Sequence, residues 1–132
     1  MKDKEILFRY RKQQSKETLR DAEIMLNKGG SPRSVINRLY YALFYSILSL
    51  FLNCDITIRT SKHTGIIGVF DKEFIITGKF AKKYSKILHS LFDDRQELDY
   101  KELVEVSKED AIISLQKAKD FISAINKYVE NV

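Results

Sequence analysis

The chain has 132 residues, 44% hydrophobic and 31% charged, with a formal net charge of +5 and a pI near 9.2. That length and composition predict one soluble globular domain, residues 1–132, with a core that needs neither metal nor disulfides, and the single cysteine, Cys54, excludes an internal disulfide. The basic excess permits contact with nucleic acid without establishing it.

Taken in order, the chain reads as all-α. A first helix runs from about Asp3 to Lys28, with Ile6, Leu7 and Tyr10 joining Leu19, Ala22 and Leu26 on its buried side. Its polar middle, Arg11 to Lys16, is expected in solvent, and Gly29-Gly30 caps its end. The second helix begins where Ser31 can accept a backbone hydrogen bond and Pro32 loses nothing by lacking an N–H. From Val35 to Leu52 only Asn37, Arg38, Ser46 and Ser49 are not apolar, so this is the central helix, covered on most sides. Its uncharged run, Leu39 to Cys54, falls short of the roughly 20 residues that cross a bilayer. No membrane contact is therefore expected. The charged N-terminus has no apolar run behind it, so a cytoplasmic location is expected.

A connection from Asn53 to Thr60 leads to a short third helix, capped by Thr60 or Ser61, that contains Ile66, Ile67, Phe70 and Phe74 and closes at Gly78. A fourth runs from about Lys79 to Asp94 or beyond. Its stripe of Phe80, Tyr84, Ile87, Leu88 and Leu91 extends by one turn onto Arg95, which is expected to point inward or along the core edge. Gln96 to Val106 is expected to be a turn or loop. Ser107 with Asp110 reads as a capping box, and the last helix carries Ala111, Leu115, Ala118, Ile122, Ile125 and Val129 at the four-and-three spacing of a long seam.

Charge is polarised along the chain. Arg59 to Lys86 holds seven Lys/Arg against Asp71 and Glu73, a local +5, and Asp93 to Asp110 holds eight carboxylates against three bases, a local −5. Such polarity suits either a phosphate-bearing ligand or self-association. With two histidines, one cysteine and no Glu-x-x-His pair, neither a metal site nor a cofactor is expected. The abundant Tyr and Phe read first as core.

Three strings in this order, NRLYYALFYS (Asn37 to Ser46), KHTGIIGVF (Lys62 to Phe70) and DDRQELDY (Asp93 to Tyr100), resemble the HEPN domain family, in its small single-domain bacterial and archaeal branch. The resemblance implies an up-and-down bundle of four to five helices and a homodimer. It also implies RNA or a nucleotide as ligand, and in many members metal-independent endoribonuclease activity in a toxin–antitoxin or defence pair. A minimal nucleotidyltransferase is the partner it implies. Arg95 matches the arginine of the family's motif. Tyr100 stands where the motif has histidine, and a phenol with a pKa near 10 is a poor base at neutral pH, so the resemblance leaves activity open. Arg95 and Tyr100 are the candidate catalytic pair, with Tyr100 also a conceivable target for adenylylation. Asn37, Arg38, Tyr41, Lys62 and His63 are candidate ligand-binding residues. His63 replaces the missing motif histidine only if the fold brings it near Arg95. The alternative is a non-catalytic interaction or regulatory subunit that docks to a nucleotidyltransferase.

Overall fold

A computed structural model of the chain describes residues 3–96 and 105–130 with their side chains, and residues 2 and 97–100 by their backbone. Five α-helices follow one another: α1 (Lys2–Asn27), α2 (Pro32–Asn53), α3 (His63–Phe70), α4 (Lys82–Tyr100) and α5 (Lys108–Glu130). No strand occurs among the described residues. α2 lies at the centre, packed against α1, α4 and α5. By length and composition it is apolar enough to cross a membrane, yet 67% of that apolar window is buried within the bundle. Its apolar bulk is what the other helices cover.

Local chemistry sets the boundaries. The Ser31 hydroxyl accepts from Ser34 N at 3.1 Å, and Pro32 opens the helix. At the end of α1, Gly29 sits at φ 82°, and Gly30 N donates to Met25 O at 2.7 Å, a glycine-dependent C-terminal lock. Asp55 adopts φ 59° after α2 with the same bonding, Ile56 N to Phe51 O at 2.9 Å, although it is not a glycine. Ser107 and Asp110 form the reciprocal box, Ser107 N to Asp110 Oδ2 at 3.2 Å and Asp110 N to Ser107 Oγ at 3.0 Å. The α5 seam is buried at all six expected positions.

Four expectations are corrected. Ile6, Leu7 and Tyr10 are exposed, Ile6 at 66% and Tyr10 at 58%, while Ser15, from the supposedly solvated middle, is 2% exposed and donates to Ala42 O at 2.7 Å. The cause is helical phase. Carrying the face of Leu19, Ala22 and Leu26 back in steps of three and four reaches Ser15, Arg11 and Phe8, and Ile6 and Tyr10 fall on the other side. Second, neither Thr60 nor Ser61 caps α3; Lys62 is its N-cap residue and offers no side-chain bond. Third, α3 passes into a π-helical turn, Asp71–Ile75, in which Ile76 N donates to Asp71 O at 2.9 Å. Phe70 and Phe74, on either side of the junction, are both buried in the core, their centroids 5.8 Å apart. Fourth, α4 starts at Lys82 and continues through Tyr100, so Gln96 lies in a helix instead of a loop; residues 101–104 of the expected loop lie outside the described set.

Candidate functional site

The run Tyr40 to Tyr45 places Tyr40 and Phe44 one turn apart on α2, with Tyr41 and Tyr45 beside them. Tyr40 and Phe44 are buried; Tyr41 and Tyr45 are half-buried. α3 brings its first residue, His63, onto this face. The imidazole stacks on Phe44 with centroids 4.1 Å apart at 20°, lies 5.7 Å from the Tyr40 ring and meets Tyr41 edge-on at 6.0 Å. Its Nδ1 is 2.8 Å from the Tyr40 hydroxyl.

α4 closes the cluster from the other side. Arg95 Nη2 donates to the Tyr41 hydroxyl at 2.9 Å. The guanidinium carbon lies 5.2 Å from the Tyr40 ring centre and 5.1 Å from that of Tyr41. A cation over two ring faces is held by their quadrupoles, each contact worth about 0.5–2 kcal/mol. Arg95 is therefore braced, half-buried, in one place.

The position of His63 depends on the segment before it. Thr60 Oγ1 accepts from Lys62 N at 3.1 Å, folding Thr60 back over the start of α3. There Gly65 has no side chain to obstruct it: a Cβ at that position would lie 2.5 Å from Thr60 Cγ2. The glycine two residues after His63 thus serves the close packing that sets the imidazole on α2.

Burial holds the His63 pKa below its ordinary value, and the nearby Arg95 charge lowers it further. Burial also raises the Tyr40 pKa well above that of a free phenol, against an opposing effect from Arg95. Tyr40 stays protonated, and His63 favours its neutral form. The site then carries one full positive charge, on Arg95, beside an imidazole and two phenols, an arrangement suited to an anion with several oxygens.

The fold brings together Arg95, Tyr41 and His63 of the expected residues. Asn37 is half-buried one turn before Tyr41 on the same face of α2, and Arg38 is exposed at the edge of that face. Lys62 is exposed beside His63. Tyr100 is the last residue of α4; its side chain lies outside the described residues. Its backbone lies five helical steps beyond that of Arg95, a rotation of about 140° about the axis. Tyr40 is the residue that sequence reasoning missed as a polar partner, because the core that hides its ring also conceals its hydroxyl.

With this geometry in place, sequence comparison decides the family: the HEPN domain profile matches residues 8–128. The chain belongs to the HEPN domain family. A protein of Thermotoga maritima named UPF0332 is 37% identical over 132 residues, which is 100% of this chain and 98% of that one. Two proteins of Methanocaldococcus jannaschii, each named "putative toxin", are 32% identical over 71% of this chain and 63% of theirs, and 27% identical over 76% and 72%. The match therefore spans under two thirds of the first of these.

Other features of this HEPN domain lie apart from the cluster. A cavity of about 330 Å³ between α2, α4 and α5 has Ile36 and Leu91 among its lining residues, with Asp94, Glu105 and Asp110 against Lys117. It contains neither Arg95 nor His63, and its net negative lining opposes a phosphate. His89, to which the sequence assigned no role, has Nε2 2.6 Å from Asp71 Oδ2, and Ser85 Oγ donates to Asp71 Oδ1 at 2.8 Å, which ties the π-turn to α4. Cys54 is half-buried with its thiol pKa raised by burial, and so behaves as a small hydrophobe. Among the described residues no group of three or more His, Cys, Asp or Glu is placed to hold a metal ion.

Proposed function

We propose that this HEPN domain binds RNA through a phosphate held at Arg95 and His63, and cleaves the strand without a metal ion, as the toxin of a two-component pair. The observation that carries the reading is the convergence of Arg95 from α4 and His63 from α3 on Tyr40 and Tyr41 of α2. The names of the two Methanocaldococcus jannaschii relatives support the toxin half. In the cleavage, the RNA 2′-oxygen forms a bond to phosphorus as the bond to the 5′-oxygen breaks; one proton leaves the 2′-OH and one reaches the departing 5′-oxygen. Negative charge grows on the non-bridging oxygens, and the planar Arg95 guanidinium meets two of them at once. Tyr100 is the second proposed catalytic residue, a homodimer the proposed assembly, and a minimal nucleotidyltransferase the proposed partner.

The test is cleavage of varied RNAs by the purified full chain in the presence of a chelator, compared with Arg95→Ala and Tyr100→Phe. Wild type should cut, and Arg95→Ala should be slower by about 10²–10³-fold, the usual cost of removing one donor from a developing oxyanion. Intact RNA with wild type rejects the nuclease reading. The tyrosine at the motif's histidine position favours a second reading, a non-catalytic module that binds RNA or the transferase; it predicts binding without cleavage. Light scattering at tens of micromolar tests the dimer, which a monomer mass would reject.

A further inference from the structure

Tyr40 is 0% exposed, so water does not reach its hydroxyl. A buried phenol hydrogen needs a protein acceptor, and among the described residues the acceptor it meets is His63 Nδ1, at 2.8 Å. The opposite polarity, an Nδ1–H donating to the phenol oxygen, would strand the phenol hydrogen in the core at a cost of about 1–3 kcal/mol. Arg95 cannot relieve that, because a guanidinium has donors only.

With Nδ1 accepting, a neutral imidazole carries its hydrogen on Nε2. The titratable and charged groups around the ring are Tyr40 and Tyr41 from α2, Arg95 from α4 and the adjoining Lys62. No described carboxylate pairs with it to stabilise an imidazolium. Stacking on Phe44 and Tyr40 fixes the plane of the ring, and the Tyr40 bond fixes which nitrogen bears the hydrogen.

We propose that Tyr40 is a positioning residue that holds His63 as the neutral Nε2–H tautomer, so that His63 meets the RNA phosphate as a hydrogen-bond donor beside Arg95 and not as a general base. The donor role rests on the phosphate-binding reading above; the tautomer does not. A general base needs a free lone pair, and the one lone pair of this neutral imidazole is occupied by Tyr40. A neutral donor also adds a contact to the anion without setting a second cation against Arg95.

The experiment uses the full chain with ¹⁵N-labelled histidine. Two imidazoles are present, His63 and His89, and His89→Gln assigns them. Long-range ¹H–¹⁵N spectra at pH 7.5, with no RNA added, should show His63 neutral, with Nε2 protonated and Nδ1 as acceptor. Tyr40→Phe should convert it to a mixture of tautomers. An Nδ1–H tautomer or an imidazolium in wild type overturns the proposal, as does an unchanged tautomer in a folded Tyr40→Phe. If that variant fails to fold, the wild-type spectrum alone decides.

Adenosine 5′-monophosphate is then titrated into the same sample. The His63 Nε2 resonance should shift on binding, and Tyr40→Phe should weaken the affinity about tenfold, the scale of one hydrogen bond to a charged group. The expected tautomer with no response to the nucleotide rejects the donor role and the phosphate reading, leaving the Tyr40–His63 pairing. A response with the wrong tautomer rejects the pairing alone.

Discussion

Arg95 and Tyr41 stand 54 positions apart in the chain and are joined by a hydrogen bond of 2.9 Å, Arg95 donating. This bond and the two ring contacts of the guanidinium fasten α4 to α2, so the residue proposed to hold a phosphate also contributes to stability. Arg95→Ala should lose about 1–2 kcal/mol of stability in urea unfolding, from one hydrogen bond and the cation–ring contacts. Arg95→Lys should retain charge yet recover only part of that loss and of the nucleotide affinity, because an ammonium cannot cover two rings and a hydroxyl at once. Equal behaviour of the lysine variant and wild type in both assays would show that charge alone suffices.

His63 makes stability depend on pH in a defined direction. Burial, then Arg95, lowers its folded-state pKa below the unfolded value of about 6.5. The unfolded chain therefore binds more protons between the two values. Stability is fully present above about pH 6.5 and is lost as pH falls through the lowered folded value. Unfolding midpoints of wild type and His63→Gln, compared at pH 7.5 and pH 5, should show a steeper fall for wild type. Parallel slopes would mean that His63 titrates normally.

Gly65→Ala should destabilise by about 1–3 kcal/mol, the usual cost of forcing an extra methyl into a packed contact. The added Cβ would lie 2.5 Å from Thr60 Cγ2. Thr60→Ser removes that methyl while keeping the hydroxyl that accepts from Lys62 N. The double variant should therefore regain part of the stability, measured by thermal unfolding; additive losses would locate the strain elsewhere.

Asp55→Gly should stabilise the protein by about 1 kcal/mol, because a left-handed residue after a helix costs a Cβ-bearing side chain what it does not cost glycine. The residue sits at φ 59°. Its ion pair with Lys4 is exposed and offsets only a few tenths of a kcal/mol. Chemical denaturation checks the sign, and a loss of stability would make the Lys4 pair the stronger effect.

The all-α bundle, the start of α2, the glycine lock after α1, the Ser107–Asp110 box and the α5 seam were readable because each rests on neighbours within a turn or on a repeating period. Hydrophobicity alone suggests that Ile6 and Tyr10 are buried, but helical phase puts them in solvent, and the burial of Ser15 has no local sign because its partner is a backbone carbonyl of another helix. The stripe of α4 did point Arg95 inward, while the packing of His63 on Tyr40 and Phe44 has no sign in the sequence around it.

What the sequence by itself determined is therefore the set of helices and two polar residues without an assigned meeting place. Tertiary structure alone decided that Arg95 and His63 share the Tyr40–Tyr41 face and that Gly65 admits Thr60. Helical period and caps are properties of adjacent residues, written directly in the chain. A contact between residues 23 or 54 positions apart, as in Tyr40–His63 and Tyr41–Arg95, depends on how three helices settle their shared apolar volume, which no local pattern records.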